Sequence, residues 1–207
     1  MTVGSKLESW PVKQTLPAGR SDSNSYTHKM TPTFHIRECT DADWPQATGL
    51  IRSVFFGGGF GSAQRLEQNG RREIIEPAGT MLVAVDAGAR GKVLGAVVLA
   101  HRGGPLALTA QEGEAEIRML AVDPQARGRG VGEALVRECV NRAALPPLSA
   151  HTMVLHTQPL MVAAQRLYER LGFVRVPERD LTLGPEAQGP AGPSTRERWA
   201  YALHMVK

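Results

Sequence analysis

The stretch Arg127-Gly128-Arg129-Gly130-Val131-Gly132 sets two guanidinium groups among three glycines, immediately before Glu133-Ala134-Leu135-Val136-Arg137, which reads as the start of a helix. Before it, Ile117 to Val122 reads as a strand that turns at Asp123-Pro124. A strand that delivers a glycine-rich, doubly basic turn to a helix N-terminus is a device for holding anions. The glycines let the backbone approach a ligand closely, the first-turn N–H groups are unpaired donors, and the helix dipole favours negative charge. A phosphate-bearing ligand is therefore expected. The other reactive side chains form no constellation of this kind. His151 and His156 would face opposite sides of a continuous strand, so they share no metal site, and no metal is expected. Cys39 and Cys139 lie far apart, without a C-x-x-C and without a neighbouring histidine, which predicts reduced thiols and no cysteine nucleophile.

Two common phosphate-binding patterns do not fit the turn. A dinucleotide-binding domain needs G-x-G-x-x-G and an acid about 20 residues further on; here the glycines run G-x-G-x-G, and Leu145 to Ala150 holds no acid. A P-loop needs Gly-Lys followed by Ser or Thr, which is missing. A nucleic-acid partner is also not expected, because a single Arg-Gly-Arg-Gly lacks the aromatic platform or long basic stripe that such surfaces use.

The elements that must position this turn can be read along the chain. The 207 residues, 42% of them hydrophobic, suit one domain with a tail, and the net charge of +4 permits an acidic ligand without requiring one. Residues 1–32 are rich in Ser, Thr, Pro, Gly and charge and predict a flexible tail; the domain is expected over 33–207. No run of about 18 apolar residues and no signal-peptide core occurs, so a soluble, cytoplasmic protein with no membrane partner is expected. Phe34 to Cys39 alternates as a strand, and Thr40 to Asp43 supplies N-cap candidates for a helix to about Val54. A glycine-rich loop, Phe55 to Gly61, and a short polar helix near Ala63 to Asn69 follow. Thr80 to Asp86 and Lys92 to His101 should pair as a hairpin, and Arg102 to Gly113 is a loop. After the central strand and turn, a helix from about Gly130 to Ala144 is stopped by Pro146-Pro147. Thr152 to Thr157 reads as a strand. Leu160, Ala163, Ala164, Leu167, Tyr168 and Leu171 stand at helical spacing, with Gly172 placed to end the helix. Strands from Phe173 to Val176 and Trp199 to Val206 flank the Pro/Gly-rich loop Gly184 to Ser194. This order implies a mixed α/β sheet flanked by helices.

With the alternatives removed, Val122-Asp123-Pro124-Gln125-Ala126-Arg127-Gly128-Arg129-Gly130-Val131-Gly132 resembles the acyl-CoA pyrophosphate loop of the GNAT N-acetyltransferase superfamily. Ala164-Gln165-Arg166-Leu167-Tyr168-Glu169-Arg170-Leu171-Gly172-Phe173 is similar to that family's later A-x-x-L-Y-x-x-L-G-F signature. The resemblance covers about Thr33 to Lys207. It implies an α/β (α+β) fold with a mixed, mostly antiparallel central sheet of about seven strands flanked by about four helices. It also implies transfer of an acetyl group from acetyl-CoA to a primary amine by direct attack.

Carried onto this sequence, the resemblance places the pyrophosphate over the backbone of Gly128, Arg129, Gly130, Val131, Gly132 and Glu133, with Arg127 and Arg129 supplying charge. Leu120, Ala121 and Val122 would meet the pantetheine arm where this strand splays from Thr152 to Thr157, leaving a backbone oxyanion site. Glu116 stands where histone-acetylating members carry a glutamate base; its alternative is a same-face ion pair with Arg118. Strict alternation would put Glu116, Arg118, Leu120 and Val122 on one face, and Ile117, Met119 and Ala121 on the other. His156 is the rival base, at the position of a catalytic acid residue in ribosomal-protein-acetylating members, and its alternative is a structural strand histidine. Tyr168 matches the family's general acid, its alternative being a core aromatic. Met161 departs from the family, where many members carry Asn seven residues before the tyrosine. The acceptor is left open, a homodimer is a common assembly among relatives, and a non-catalytic acyl-CoA-sensing or protein-interaction module with the same fold is the alternative function.

Overall fold

A computed structural model describes residues 33–60, 70–88, 91–183 and 197–205. In chain order, β1 (Phe34–Glu38) leads to helix α1 (Trp44–Gly57) and the single-turn α2 (Arg72–Ile75). Three strands follow, β2 (Gly79–Asp86), β3 (Val93–Ala100) and β4 (Glu114–Val122). Then come α3 (Val131–Ala144), β5 (Thr152–Thr157), α4 (Val162–Arg170), β6 (Val174–Arg175), β7 (Leu181–Thr182) and β8 (Glu197–His204). The sheet runs β1-β2-β3-β4-β5-β8-β6, with β7 also paired to β8. Every neighbouring pair is antiparallel except β4 with β5. That parallel pair is joined through α3, because a parallel connection needs a long crossover. The two-residue β7 is the strand beyond the seven expected. Among the described residues, no helix is long and apolar enough to cross a membrane.

The sheet separates two apolar layers. On one face α3 and α4 cover β2 to β5, with Val131, Leu135, Val136, Cys139 and Tyr168 packed against Leu82, Leu99, Ile117 and Leu155. On the other, Ala47 and Ile51 of α1 and Ile75 of α2 meet Met81, Val83, Val98 and Ala121. Burial pushes the Cys139 thiol up to about 12, as expected of an inert core thiol. The approach of α3 to the sheet depends on Gly95: a Cβ there would stand 2.7 Å from Val131 Cγ1 and 2.9 Å from Leu135 Cδ1. Gly95 therefore fixes how closely the N-terminal turn of α3, and the glycine-rich turn before it, sits on the sheet.

Several boundaries differ from expectation. Helix α1 continues through Phe55 and Phe56 to Gly57 instead of stopping near Val54, because its buried face, with Val54 and Phe55 packed on the second layer, outweighs the weak propensity of its end. Asp43 is the N-cap residue of α1, yet its carboxylate turns away from the helix to accept from Arg37 Nη2 at 2.9 Å and the Thr40 amide at 2.8 Å. Leu160 lies outside α4 and is exposed. A turn closes there instead, with the Met161 amide donating to Gln158 O and Gln165 Nε2 donating to the carbonyls of Gln158 and Pro159. The last strand begins at Glu197, earlier than Trp199. The tail at 1–32, the polar helix near Ala63 to Asn69 and the Gly184 to Ser194 loop fall outside the described residues.

Candidate active site

Strand β4 pairs with β5 only from Glu114↔Thr152 to Ile117↔Leu155. Beyond that point β4 stays on β3, through Ala121↔Ala96 and Val122↔Gly95, while β5 stays on β8 through Thr157↔Trp199. The two strands part, and the edge of β4 after Ile117 is free of a β5 partner. A β-bulge lies at the divergence: between the pairs Arg118↔Val98 and Ala121↔Ala96, β4 carries one residue more than β3, and Met119 takes φ +53°. A non-glycine residue at positive φ inside a strand is unusual, and bulges of this sort re-aim side chains. The strict alternation expected for β4 is corrected here. Ile117 packs with Leu120 and Val122 on the α3/α4 face, whereas Met119 and Ala121 join the α1/α2 face.

Four buried side-chain polar atoms lack a hydrogen-bond partner among the described residues: Thr109 Oγ1, His156 Nδ1, Thr157 Oγ1 and Gln158 Oε1. Three of them belong to consecutive residues at the open end of β5. His156 Nδ1 turns to the Glu116 carboxylate, but the Thr157 and Gln158 oxygens have no partner among the described residues, and because buried polar atoms nearly always find one, these two mark the divergence as a candidate ligand-facing place.

On the α3 side, Asp123 Oδ1 accepts from the Gln125 amide at 2.8 Å and starts the 3-10 turn Pro124–Ala126. Gly128 and Gly130 have φ of +77° and +80°, a region L-residues avoid, and a Cβ at either would meet nothing within 4 Å. Their backbone is therefore open to a ligand. The first helical bond of α3 runs from the Ala134 amide to Gly130 O, so the amides of Val131, Gly132 and Glu133 stand ahead of the ladder as free donors. The two arginines are not equivalent. Arg127 is exposed, with no ion-pair partner among the described residues. Arg129 Nη2 lies 3.1 Å from Asp86 Oδ2 and 3.4 Å from Thr33 O, which ties the turn to the far end of β2. Glu133 pairs with Arg137 and Arg170. The amide donors and open glycine backbone fit the pyrophosphate of a CoA thioester.

On the opposite face, Glu116 is fully buried. Its Oε2 accepts from the amides of Leu108, Thr109 and Ala110 at 2.8, 3.0 and 3.3 Å, and its Oε1 accepts from Arg118 Nη1 at 3.1 Å. His156 Nδ1 lies 3.4 Å from the same Oε1, while His156 Nε2 is 3.3 Å from Arg179 O. Burial alone would push the Glu116 carboxyl up, but the facing His156, Arg118 and the Thr109 amide together hold it below the ordinary carboxylate range. Arg179 completes the network: it grips Glu114 with both terminal nitrogens, at 2.9 and 2.8 Å, and donates to Thr109 O at 2.8 Å. The carboxylate expected as a base is thus spent on a loop, an arginine and a histidine. The same-face ion pair with Arg118 is present.

Tyr168 is the one buried residue of α4. Its ring packs 5.8 Å from Phe173 and 6.3 Å from Tyr201, on the α3/α4 face of the sheet, across from Glu116 and His156. Burial, with a smaller effect from nearby Cys139, pushes its phenol well above the usual value. The hydroxyl has no hydrogen-bond partner among the described residues. The structure therefore brings Glu116 and His156 together and sets Tyr168 on the other layer. Sequence reasoning missed Arg179 and the 108–110 amides, and no local spacing points to them, because Arg179 lies 65 residues from Glu114.

The acetyltransferase (GNAT) family profile matches residues 41–173. N-acetylaspartate synthetase of Danio rerio is 36% identical over 102 residues, which cover 49% of this chain and 33% of that protein. Mycothiol acetyltransferase of Pseudarthrobacter chlorophenolicus is 35% identical over 134 residues, covering 62% of this chain and 38% of that protein. The chain thus spans little more than a third of these curated relatives' own length. Among solved structures, a GNAT superfamily phosphinothricin acetyltransferase from Sinorhizobium meliloti in complex with acetyl-CoA superposes with a TM-score of 0.60 at 20% identity, over 84% of this chain and 89% of that one. That likeness shows the shared fold.

Proposed function

Because the chain belongs to the GNAT acetyltransferase family, we propose that it is an acetyl-CoA-dependent N-acetyltransferase that moves an acetyl group directly to a primary amine. The observation that carries this reading is the parting of β4 and β5 after Ile117↔Leu155, with an amide cradle on one side of the sheet and a polar network on the other. Relatives named N-acetylaspartate synthetase and mycothiol acetyltransferase support a small-molecule acceptor.

Acetyl-CoA supplies the activated acetyl group as a thioester. The amides of Val131, Gly132 and Glu133, the open backbone of Gly128 and Gly130, and the Arg127 guanidinium hold its pyrophosphate. The edge of β4 between Arg118 and Val122 offers backbone donors to the pantetheine amides and to the thioester oxygen as negative charge develops there, a contribution of about 3–4 kcal/mol per preorganised donor. Tyr168 donates its hydroxyl proton to the departing thiolate, and the phenolate so formed regains a proton from the nitrogen as the amide forms. A phenol held above its ordinary value stays protonated, the form this role needs. Glu116, unlike the base first expected, acts as a positioning residue: a carboxylate with a lowered pKa and four donors on its oxygens takes a proton poorly. His156, whose two ring nitrogens face Glu116 and the Arg179 carbonyl, belongs to the same scaffold. The ammonium first loses a proton to water; the neutral amine then forms the N–C bond at the thioester carbon as the C–S bond breaks, releasing CoA as the thiol and leaving the acetylated amine.

The test is release of free CoA across a panel of amines, with acetyl-CoA binding measured in parallel and Tyr168→Phe as the comparison. Turnover on at least one amine, depressed in the variant, is expected. Tight acetyl-CoA binding with no turnover on any amine would instead identify a non-catalytic acyl-CoA-sensing module.

A further inference from the structure

Glu116, Arg118 and His156 share the α1/α2 face of the sheet at the point where β4 and β5 part, opposite the cofactor cradle. Glu116 and His156 are closed off by burial, and Arg118, 17% exposed, is the one of the three that an acceptor can reach. From this arrangement we infer that Arg118 is a specificity-determining residue and that the acceptor is an amine that also carries a carboxylate, which the Arg118 guanidinium binds. The inference rests on the acetyltransferase reading above and names the substrate class of that same site.

Three observations carry it. First, Arg118 is held firmly and used little. Its side chain is 17% exposed, yet among the described residues one of its nitrogens is engaged, Nη1 to Glu116 Oε1 at 3.1 Å. None of its nitrogens is among the buried atoms that lack a partner, so its remaining donors keep contact with solvent. A guanidinium carries five N–H donors in a planar fork matched to a carboxylate. Oriented at one edge by Glu116, it presents the rest preorganised, with little side-chain freedom left to lose on binding. Second, Glu116 does not need Arg118 to satisfy its charge. Three backbone amides already hold its Oε2, and His156 faces its Oε1. With the Glu116 carboxylate already held by those amides, the unengaged nitrogens of Arg118 stand as charged donors that an incoming carboxylate matches. Third, the acids nearby are taken. Glu114 is gripped by both terminal nitrogens of Arg179 and by the Gln111 amide, and Glu116 is closed off by burial. Neither is left to bind an ammonium group, so a polycationic acceptor finds no counter-charge on β4, whereas an amino carboxylate finds a fork aimed at it. The Met119 bulge follows Arg118 directly, and the free edge of β4 begins there. A carboxylate anchored on Arg118 therefore holds its amine beside the backbone that flanks the thioester.

The experiment compares matched amines. Glycine, β-alanine, L-glutamate and L-phenylalanine are assayed with acetyl-CoA by free-CoA release, each beside its carboxamide and its decarboxylated amine. For the wild type, kcat/KM is expected to favour at least one carboxylate over its amide and its decarboxylated amine by about 100-fold, the scale of one or two charged hydrogen bonds. Arg118→Gln should remove that preference: the ratio of kcat/KM for the carboxylate to kcat/KM for its neutral analogues should fall toward one through a higher KM for the carboxylate, over and above any change common to all amines. Arg118→Lys, which keeps the charge but loses the fork, should retain part of the preference, and it serves as the readout should Arg118→Gln fail to fold. Equal turnover of carboxylates and their neutral analogues by the wild type would overturn the inference and leave the acetyltransferase reading standing. A uniform loss on all amines in both variants would also overturn it, assigning Arg118 a purely structural part. Acetyl-CoA binding without turnover on any amine would remove the acetyltransferase reading and this inference with it.

Discussion

Replacing Glu116 by Gln separates a positioning carboxylate from a catalytic base. The native side chain accepts from three amides of the 108–110 loop and from Arg118, with His156 alongside, at a site without solvent exposure. A carboxamide has one acceptor oxygen and one donor nitrogen, so either the loop amides or Arg118 and His156 must face an N–H group. Arg118 is also left without its counter-charge. Removing one partner of a buried pair costs about 3–5 kcal/mol, which for a domain of this size lowers Tm by roughly 10 °C at about 2–4 °C per kcal/mol. Because the folded Glu116 carboxyl is held below its unfolded value, its stabilisation is fully present above the unfolded pKa of about 4.3 and is lost as pH falls through the folded value. The stability gap between wild type and Glu116→Gln, measured by urea unfolding, should be constant from about pH 5 to 8 and should close below about pH 4. In parallel, kcat/KM for the amine should fall through a higher KM, and the acidic limb of its pH profile should stay in place. The opposite pattern would refute the reasoning: an unchanged Tm, a kcat lower by a thousandfold or so, as loss of a general base gives, and a vanished acidic limb.

Other expectations are independent of that network. Tyr168→Phe should lower kcat by about 10²–10³ with KM for acetyl-CoA unchanged, and should leave thermal stability nearly intact because the hydroxyl has no partner among the described residues. A kcat within threefold of wild type would exclude the tyrosine from proton donation. Arg127→Ala should weaken acetyl-CoA binding by about tenfold in a salt-sensitive way, as loss of an exposed phosphate contact does, whereas Arg129→Ala should act less on affinity and more on Tm because Arg129 pairs with Asp86. Calorimetric titration at two salt concentrations distinguishes them, and equal affinity losses would contradict the assignment. Met161 occupies the N-cap of α4 without a side-chain cap, so Met161→Asn should stabilise the fold by about 0.5–1 kcal/mol in urea melts.

What the sequence made legible was local. The hairpin of β2 and β3, the limits of β5, the start of α3 at a glycine-rich turn and the end of α4 at Gly172, whose φ is +89°, all follow from period and turn chemistry within a few residues. The β4 bulge was illegible because it is a mismatch of register between two strands: nothing in Arg118-Met119-Leu120 shows that β3 has one residue fewer across from it. Alternation read through that point assigned Met119 and Ile117 to the wrong companions. The role of Glu116 was hidden for a related reason. Its partners lie in a loop without periodicity, and the arginine that locks that loop is brought in from beyond β6. The Glu116–Arg118 pair was readable because it needs only two positions of one strand.

The divergence of β4 and β5 also explains why the chemical groups fall on two layers. A sheet that stayed paired along β4 would wall the cradle at α3 and Tyr168 off from the network of Glu116, Arg118 and His156, since side chains on opposite faces of a strand never meet. Pairing ends at Ile117↔Leu155, and beyond it the edge of β4 has no β5 partner between the layers. The bulge keeps β4 on β3 while it changes which side chains face the opening, so the strand is turned without being released. Gly95 brings α3 down on one side, and Glu116 draws the 108–110 loop down on the other. On the proposed function, a CoA thioester and an amine approached from these two layers would meet at the backbone of β4 just after Arg118, where pairing with β5 has ended.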